Sequence, residues 1–164
     1  MTTFEDRIGR YFEQYPSAPR SALVASRLIF FVAQRLDQYI DTALAPYGLQ
    51  RRQYLLMTVL ASKERANRVI TPSELGEILD ATRTQITRLL DGLEARGLVQ
   101  RNPVLKDRRS FAVDLTQTGE ALFRQATPAV HGAHERLWEE LGTKATTQTI
   151  EHLRQLYRHL GGEQ

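Results

Sequence analysis

Residues 71–101 read TPSELGEILDATRTQITRLLDGLEARGLVQR, and two helix starts stand close together in them, at Thr71 and Thr82. Thr71-Pro72-Ser73-Glu74 is a capping box with proline at the first helical position, where its missing N–H costs no hydrogen bond. Thr82-Arg83-Thr84-Gln85 is a second box, with Gln in place of Glu. Leu75, Ile78 and Leu79 give the first short helix one apolar face. Ile86, Leu89, Leu90 and Leu93 give the second the i, i+3, i+4, i+7 stripe of an amphipathic helix. Gly97 supplies the left-handed stop. A helix that ends after two turns and restarts at once crosses its successor at a steep angle. That is the sequence form of a helix-turn-helix.

Beyond Gly97 the period changes from 3.6 to 2. Phe111, Val113 and Leu115 alternate with Ala112 and Asp114, a strand pattern, and Leu98–Arg101 can pair with it. Asn102–Arg109 is left as an exposed hairpin tip. The fold class predicted is mainly α with a small β-hairpin wing: a winged helix-turn-helix lobe joined to a helical region. The helical region begins with a short amphipathic helix carrying Phe4, Ile8, Tyr11, Phe12 and Tyr15, ended by Tyr15-Pro16-Ser17-Ala18-Pro19. A long helix follows from Ser21 to Ala45, broken by Pro46-Tyr47-Gly48, and another spans Arg51–Ala61. After the wing, Thr116 caps a helix running toward Leu141, which Pro128 should kink. A last helix, about Lys144–Leu160, lines up Ile150, Leu153, Leu156, Tyr157 and Leu160.

On the second helix of the motif the polar side carries Arg83, Thr84, Thr87, Arg88 and Asp91, with Gln85 in the cap. Short hydroxyls and guanidinium forks suit a helix lying close in a major groove. Arg bridges O6 and N7 of guanine, and Thr contacts a thymine methyl or a phosphate. Free N–H groups of the first turn face phosphate. In the hairpin, Lys106, Asp107, Arg108 and Arg109 form the wing group. An Arg there can enter the minor groove, while Asp107 pairs with a neighbouring Arg and shapes the tip. The blander reading of the same residues is a solvated polar face.

Composition narrows the classes. The chain has 164 residues, a net charge of +3, 41% hydrophobic and 25% charged residues and no cysteine. This is an ordinary globular balance, without disulfides, thiol chemistry or sulfur-ligated zinc. Residues 71–115 hold seven Lys/Arg against seven Asp/Glu, whereas 101–109 hold four against one. Position, not bulk charge, carries the nucleic-acid reading. No signal peptide or membrane-spanning run is present, and the expected location is the cytoplasm. There is no Gly-rich phosphate loop, nucleophile motif or zinc-protease motif, so no enzyme and no cofactor is expected. His131 and His134 share a helix face, but no third ligand is evident and no metal site is assigned.

The segment quoted above, followed by KDRRSFAVDLTQTGEAL, resembles the MarR family of bacterial winged-helix regulators. The Asp-Arg-Arg tip and the Leu-Thr-x-x-Gly after the second wing strand are its most specific marks. The motif and wing are similar to those of repressors of multidrug-efflux operons. The resemblance implies an obligate homodimer with interlocked terminal helices, reading palindromic double-stranded DNA and released by small aromatic or phenolic ligands. It implies residues 1–48 and 117–164 as the dimerisation region and 49–116 as the DNA-binding lobe. Arg83, Thr84, Thr87 and Arg88 match the reading helix, and Asp107 and Arg109 match the wing pair.

The chain departs from the family at Leu79-Asp80, where Leu-Gly is usual and Asp tolerates the same left-handed conformation, and at Gln50, where a Thr cap is usual. The latter is a local loss of ~1 kcal/mol. Lack of cysteine excludes thiol oxidation, and the lone Trp138, late in the chain, separates it from the urate-responsive branch. The terminal apolar stripes support a dimer independently, since a two-fold axis would set two reading helices ~34 Å apart. They also fit a cap on the core of a monomer. Arg35, Tyr39, Tyr54, Met57 and His134 are candidates for an aromatic-acid pocket, with Arg35 pairing a carboxylate; for Tyr39, Tyr54 and Met57 the competing reading is plain core. A second functional class is a winged-helix module that binds an acidic protein partner through the same polar helix. Preference for one duplex over a scrambled one separates the two.

Overall fold

The helices that start at Pro72, Arg83 and Gln117 begin where a threonine side chain supplies an acceptor that the first turn lacks. The computed structural model describes residues 4–62, 70–104 and 107–162, without the side chains of residues 4, 5, 7, 104 and 107–110. In chain order the elements are α1 (Phe4–Gln14), α2 (Arg20–Leu44), a short 3-10 turn (Ala45–Tyr47), α3 (Arg51–Ala61), α4 (Pro72–Ile78) and α5 (Arg83–Glu94). They continue with β1 (Val99–Val104), β2 (Asp107–Leu115), α6 (Gln117–Glu139) and α7 (Gly142–His159). Two compact units result, Met1–Tyr39 and Ile40–Gln164. In the first, Ile8 and Phe12 are buried. Tyr11 meets Phe12 edge-on, and the Arg20 guanidinium lies 5.0 Å from the Phe12 ring centroid. The α2 residues Leu28, Ile29, Phe30, Phe31 and Val32 are exposed.

The second unit is built around α3, which packs against α5, α6 and β2. Its centre is Ile40, Leu44, Leu56, Met57, Leu75, Ile86, Leu90, Leu93 and Val113, all nearly inaccessible to solvent. Tyr54 stacks on Phe123 at 5.2 Å, and its hydroxyl donates to Thr127 Oγ1 at 3.2 Å, joining α3 to α6. Gln50 stands at the cap in place of the usual Thr, and the N-terminus of α3 is not left open. Asp41 Oδ1 of α2 accepts from Arg51 N–H at 2.5 Å, and Gln53 Oε1 accepts from Gln50 N–H at 3.1 Å. A carboxylate at a helix N-terminus is favoured by the macrodipole as well as by the hydrogen bond.

Both predicted capping boxes are present. Thr71 N–H and Oγ1 donate to Glu74 Oε2, and Thr82 N–H and Oγ1 donate to Gln85 Oε1. Asp80 has φ +45°, the left-handed conformation anticipated for it. Gly97 follows α5 with φ +65°. Helix α6 runs on through Pro128. The face of α4 differs from expectation. Leu75 is buried, but Ile78 is 53% exposed, because the contact with α5 runs through Gly76 instead. A Cβ at Gly76 would stand 3.0 Å from the Ala81 carbonyl and 3.9 Å from Ile86 Cγ1.

The hairpin is longer than predicted. β1 and β2 pair antiparallel from Val99–Leu115 through Pro103–Phe111, with an irregularity between Pro103 and Val104. Residues 102–104 and 107–109, read as loop, are therefore strand. A two-stranded ribbon buries little on either face, so its outer half needs no apolar alternation and shows none. Ile70 carbonyl accepts from Val113 N–H at 2.9 Å, tying the entry to α4 to the ribbon. Thr116 closes the other side. It donates to the Gly97 carbonyl at 2.6 Å and caps α6 by accepting from Gly119 N–H at 3.0 Å. A Cβ on Gly119 would fall 1.9 Å from the Leu98 carbonyl oxygen, which explains the glycine in Leu115-Thr116-x-x-Gly119. Two crossed helices followed by this ribbon make a winged helix-turn-helix.

Candidate nucleic-acid interface

Helix α5 presents one face and buries the other. Ile86, Leu90 and Leu93 are at most 1% exposed, whereas Arg83, Thr84, Gln85, Thr87 and Arg88 are all exposed. Leu89 lies between these extremes, half-buried. Burying three such side chains contributes roughly 1.5–3 kcal/mol each and fixes the rotation of the helix about its axis. The polar face is thereby aimed outward as a set. The Thr87 hydroxyl donates to the Arg83 carbonyl at 2.9 Å, so its methyl and oxygen lone pairs are what remain for a ligand.

Two arginines outside the predicted group hold α5 in place. At its C-terminal end Arg96 donates to the Gly48 carbonyl at 2.6 Å and the Tyr47 carbonyl at 3.2 Å. Those carbonyls end the 3-10 turn, where Gly48 takes φ +62°. From the ribbon, Arg101 pairs through NH2 with Asp91 Oδ1, and its Nε lies 3.3 Å from Glu94 Oε2. The Arg101 guanidinium also sits 5.1 Å from the Phe111 ring centroid. One cation thus serves both carboxylates of α5. Asp91, grouped by sequence with the outward polar side, is engaged by β1, and Arg83 and Arg88 remain as the charges of the exposed face. Sequence reasoning counted Arg101 only as part of a basic run. The available signal was the i, i+3 pair Asp91 and Glu94 opposite a strand arginine.

Of the wing group, Asp107, Arg108 and Arg109 open β2, and Lys106 lies outside the described residues. A hollow of about 340 Å³ lies beside α5, lined by Thr71, Ser73, Arg83, Thr87, Arg101 and Phe111 among others. The pocket candidates fall in both units. Arg35, in the first, donates to Gln38 Oε1 at 3.4 Å, and Tyr39 there is 38% exposed. In the second, Tyr54 and Met57 are core residues, and His131 and His134 are exposed on α6. Among the described residues no three His, Asp or Glu side chains gather as a metal site, and no helix is long and apolar enough to cross a membrane.

Comparison with known proteins matches this geometry to a family. The model of the MarR family matches residues 47–110, from the corner before α3 into β2. Over 160 residues the chain is 28% identical to the transcriptional repressor MprA of Escherichia coli K12, covering 98% of this chain and 90% of that protein. It is 32% identical over 128 residues to the multiple antibiotic resistance protein MarR of the same strain, covering 77% of this chain and 85% of the relative. The fold is similar to that of a mutant MarR from E. coli complexed with operator DNA. There the TM-score is 0.74 at 27% identity, over 85% of this chain and 99% of the other.

Proposed function

The chain belongs to the MarR family, and on that premise we propose that it is a cytoplasmic, homodimeric repressor that reads palindromic DNA and is released by a small aromatic or phenolic effector. As a MarR-family protein it is a DNA-binding transcriptional regulator and not an enzyme. The observation that carries the reading is the outward face of α5, with Arg83, Thr84, Gln85, Thr87 and Arg88 together on a helix held by Arg96 just past its C-terminal end and by Arg101 through Asp91. Those side chains offer major-groove donors and short hydroxyls, and the wing residues Lys106, Arg108 and Arg109 supply cations for the flanking backbone or minor groove.

Residues 49–116 form the reading lobe, and 1–48 with 117–164 form the dimerisation region. The exposed apolar stripe of α7 supports that division. A two-fold dimer sets its reading helices ~34 Å apart, one turn of DNA. The effector acts by binding better to a dimer whose spacing misfits the operator, and its differential affinity sets the size of the switch. The hollow beside α5 offers one seat, since an occupant there touches Arg83 and Thr87 directly.

Titration against duplex from the region upstream of its own gene and against a scrambled duplex, at about 150 mM salt, tests the assignment. Selective binding with two chains per site, weakened by added benzoate or phenol, is the expected result. Equal weak binding to both duplexes, repeated with genome-wide selected fragments, would overturn it in favour of a protein-binding module.

A further inference from the structure

The two capping boxes have the same geometry and differ in one side chain. In α4, Glu74 Oε2 accepts from Thr71 N–H at 2.9 Å and from Thr71 Oγ1 at 3.1 Å. In α5, Gln85 Oε1 accepts from Thr82 N–H at 2.9 Å and from Thr82 Oγ1 at 3.1 Å. Thr82 Oγ1 in turn accepts from Gln85 N–H at 3.3 Å. A backbone N–H can only donate, so the amide atom facing it is the oxygen, and the orientation of the Gln85 amide follows from the cap. An amide oxygen has two lone pairs, and both are taken. What Gln85 retains is its Nε2 amide group, two donors and no acceptor. No described residue accepts from it, and the residue is exposed on the reading face.

A free glutamine pairs with adenine by accepting from N6 and donating to N7. Gln85 cannot do so without breaking its own cap. In the major groove guanine and thymine carry a keto oxygen, O6 or O4, whereas adenine and cytosine carry an amino group, N6 or N4. We infer that Gln85 is a specificity residue that selects a keto base, guanine or thymine, at one position in each half-site and rejects cytosine, which offers it only a donor, with adenine, left with N7 as its one acceptor, between them. This rests on the DNA-reading assignment above. The box itself tolerates a carboxylate, as α4 shows, so glutamine at position 85 is not dictated by capping. Neutrality and the spare donors are what distinguish it from Glu74.

The same comparison supplies the test. Gln85→Glu keeps both cap bonds, as in α4, and exchanges two donors for an acceptor. Duplexes selected from a random library by the unmodified protein and by Q85E are sequenced, with thermal melts run in parallel. The expected melts agree to within a degree or two. The expected selection shows one position per half-site where guanine or thymine is favoured about tenfold, and where Q85E loses or reverses the preference toward cytosine or adenine. Identical base preferences for both proteins, with or without uniform weakening, would overturn the inference and leave Gln85 as a cap that neighbours phosphate. So would cytosine at the position that responds. Selection of no common sequence by the unmodified protein would overturn the DNA-reading assignment itself, and this inference with it.

Discussion

Helices α5 and α7 carry apolar stripes of the same kind, yet one is finished within the chain and the other is not. Over twelve residues α5 buries Ile86, Leu90 and Leu93 to 1% exposure or less. Over eighteen, α7 buries none: Ile150 is 41% exposed, Leu153 45%, Leu156 39% and Tyr157 61%, and Leu160 just past its end is 75% exposed. Isolated surface leucines are ordinary, but five apolar side chains along one stripe are not. An α5 with its back buried is a rigid presenter of side chains. An α7 with its stripe open leaves an apolar face uncovered, and it lies in the region where the dimer is proposed.

The comparison breaks most visibly if the α7 stripe is charged. Leu153→Glu with Leu156→Glu should abolish the dimer, seen as a halved mass in sedimentation, with the helical circular dichroism retained. DNA affinity should fall about 10²–10⁴-fold, because two linked half-sites become two separate weak ones. An unchanged mass and affinity would show that the stripe faces solvent in the working protein. The corresponding change on α5 acts through another term. Ile86→Ala removes a side chain that is 0% exposed at the crossing with α4, and should destabilise the fold by about 2–5 kcal/mol in urea titration. That loss should be the same at every protein concentration, whereas the loss in the α7 variant should vanish as the unmodified protein is diluted. An Ile86→Ala cost below about 1 kcal/mol would mean that α5 is not braced as described.

How far sequence reached follows the same division. Signals confined to one turn of chain were legible: Thr71, Pro72 and Glu74, Thr82 and Gln85, the Thr116 cap, and a left-handed Asp80. Those that depend on what a residue meets in space were not. Asp41 closes the N-terminus of α3 from ten residues away, where local reading saw only a lost Thr cap. Arg101 reaches Asp91 and Glu94 only because the ribbon folds back on α5, and its register is not written in a hydrophobic pattern. Ile78 matched the stripe of α4, but the helix is two turns long and its neighbour approaches over Gly76. The glycine of Leu115-Thr116-x-x-Gly119 was visible as a mark of kinship, and its cause, the Leu98 carbonyl, appears only in three dimensions. For the reading face the outward residues were legible by subtraction, being whatever the stripe left over. Which of their hydrogen-bonding atoms are already spent was not.

The smallest effect bears on that last point. Thr82→Ala removes the hydroxyl that accepts from Gln85 N–H and donates to Gln85 Oε1, while Thr82 N–H still reaches the amide. Loss of a threonine cap should cost about 1 kcal/mol in urea titration, well short of the Ile86→Ala effect. Thr71→Ala should cost about as much in α4, since its box has the same bonds. The two variants should differ in what they do to DNA. Thr71→Ala leaves the reading face alone and should leave base preference unchanged. Thr82→Ala frees one lone pair of Gln85 and should relax discrimination between keto and amino bases, which selection from a random library would register. Equal stability losses with equal, unaltered base preference would mean that the cap on α5 sets only where the helix begins, as the cap on α4 does.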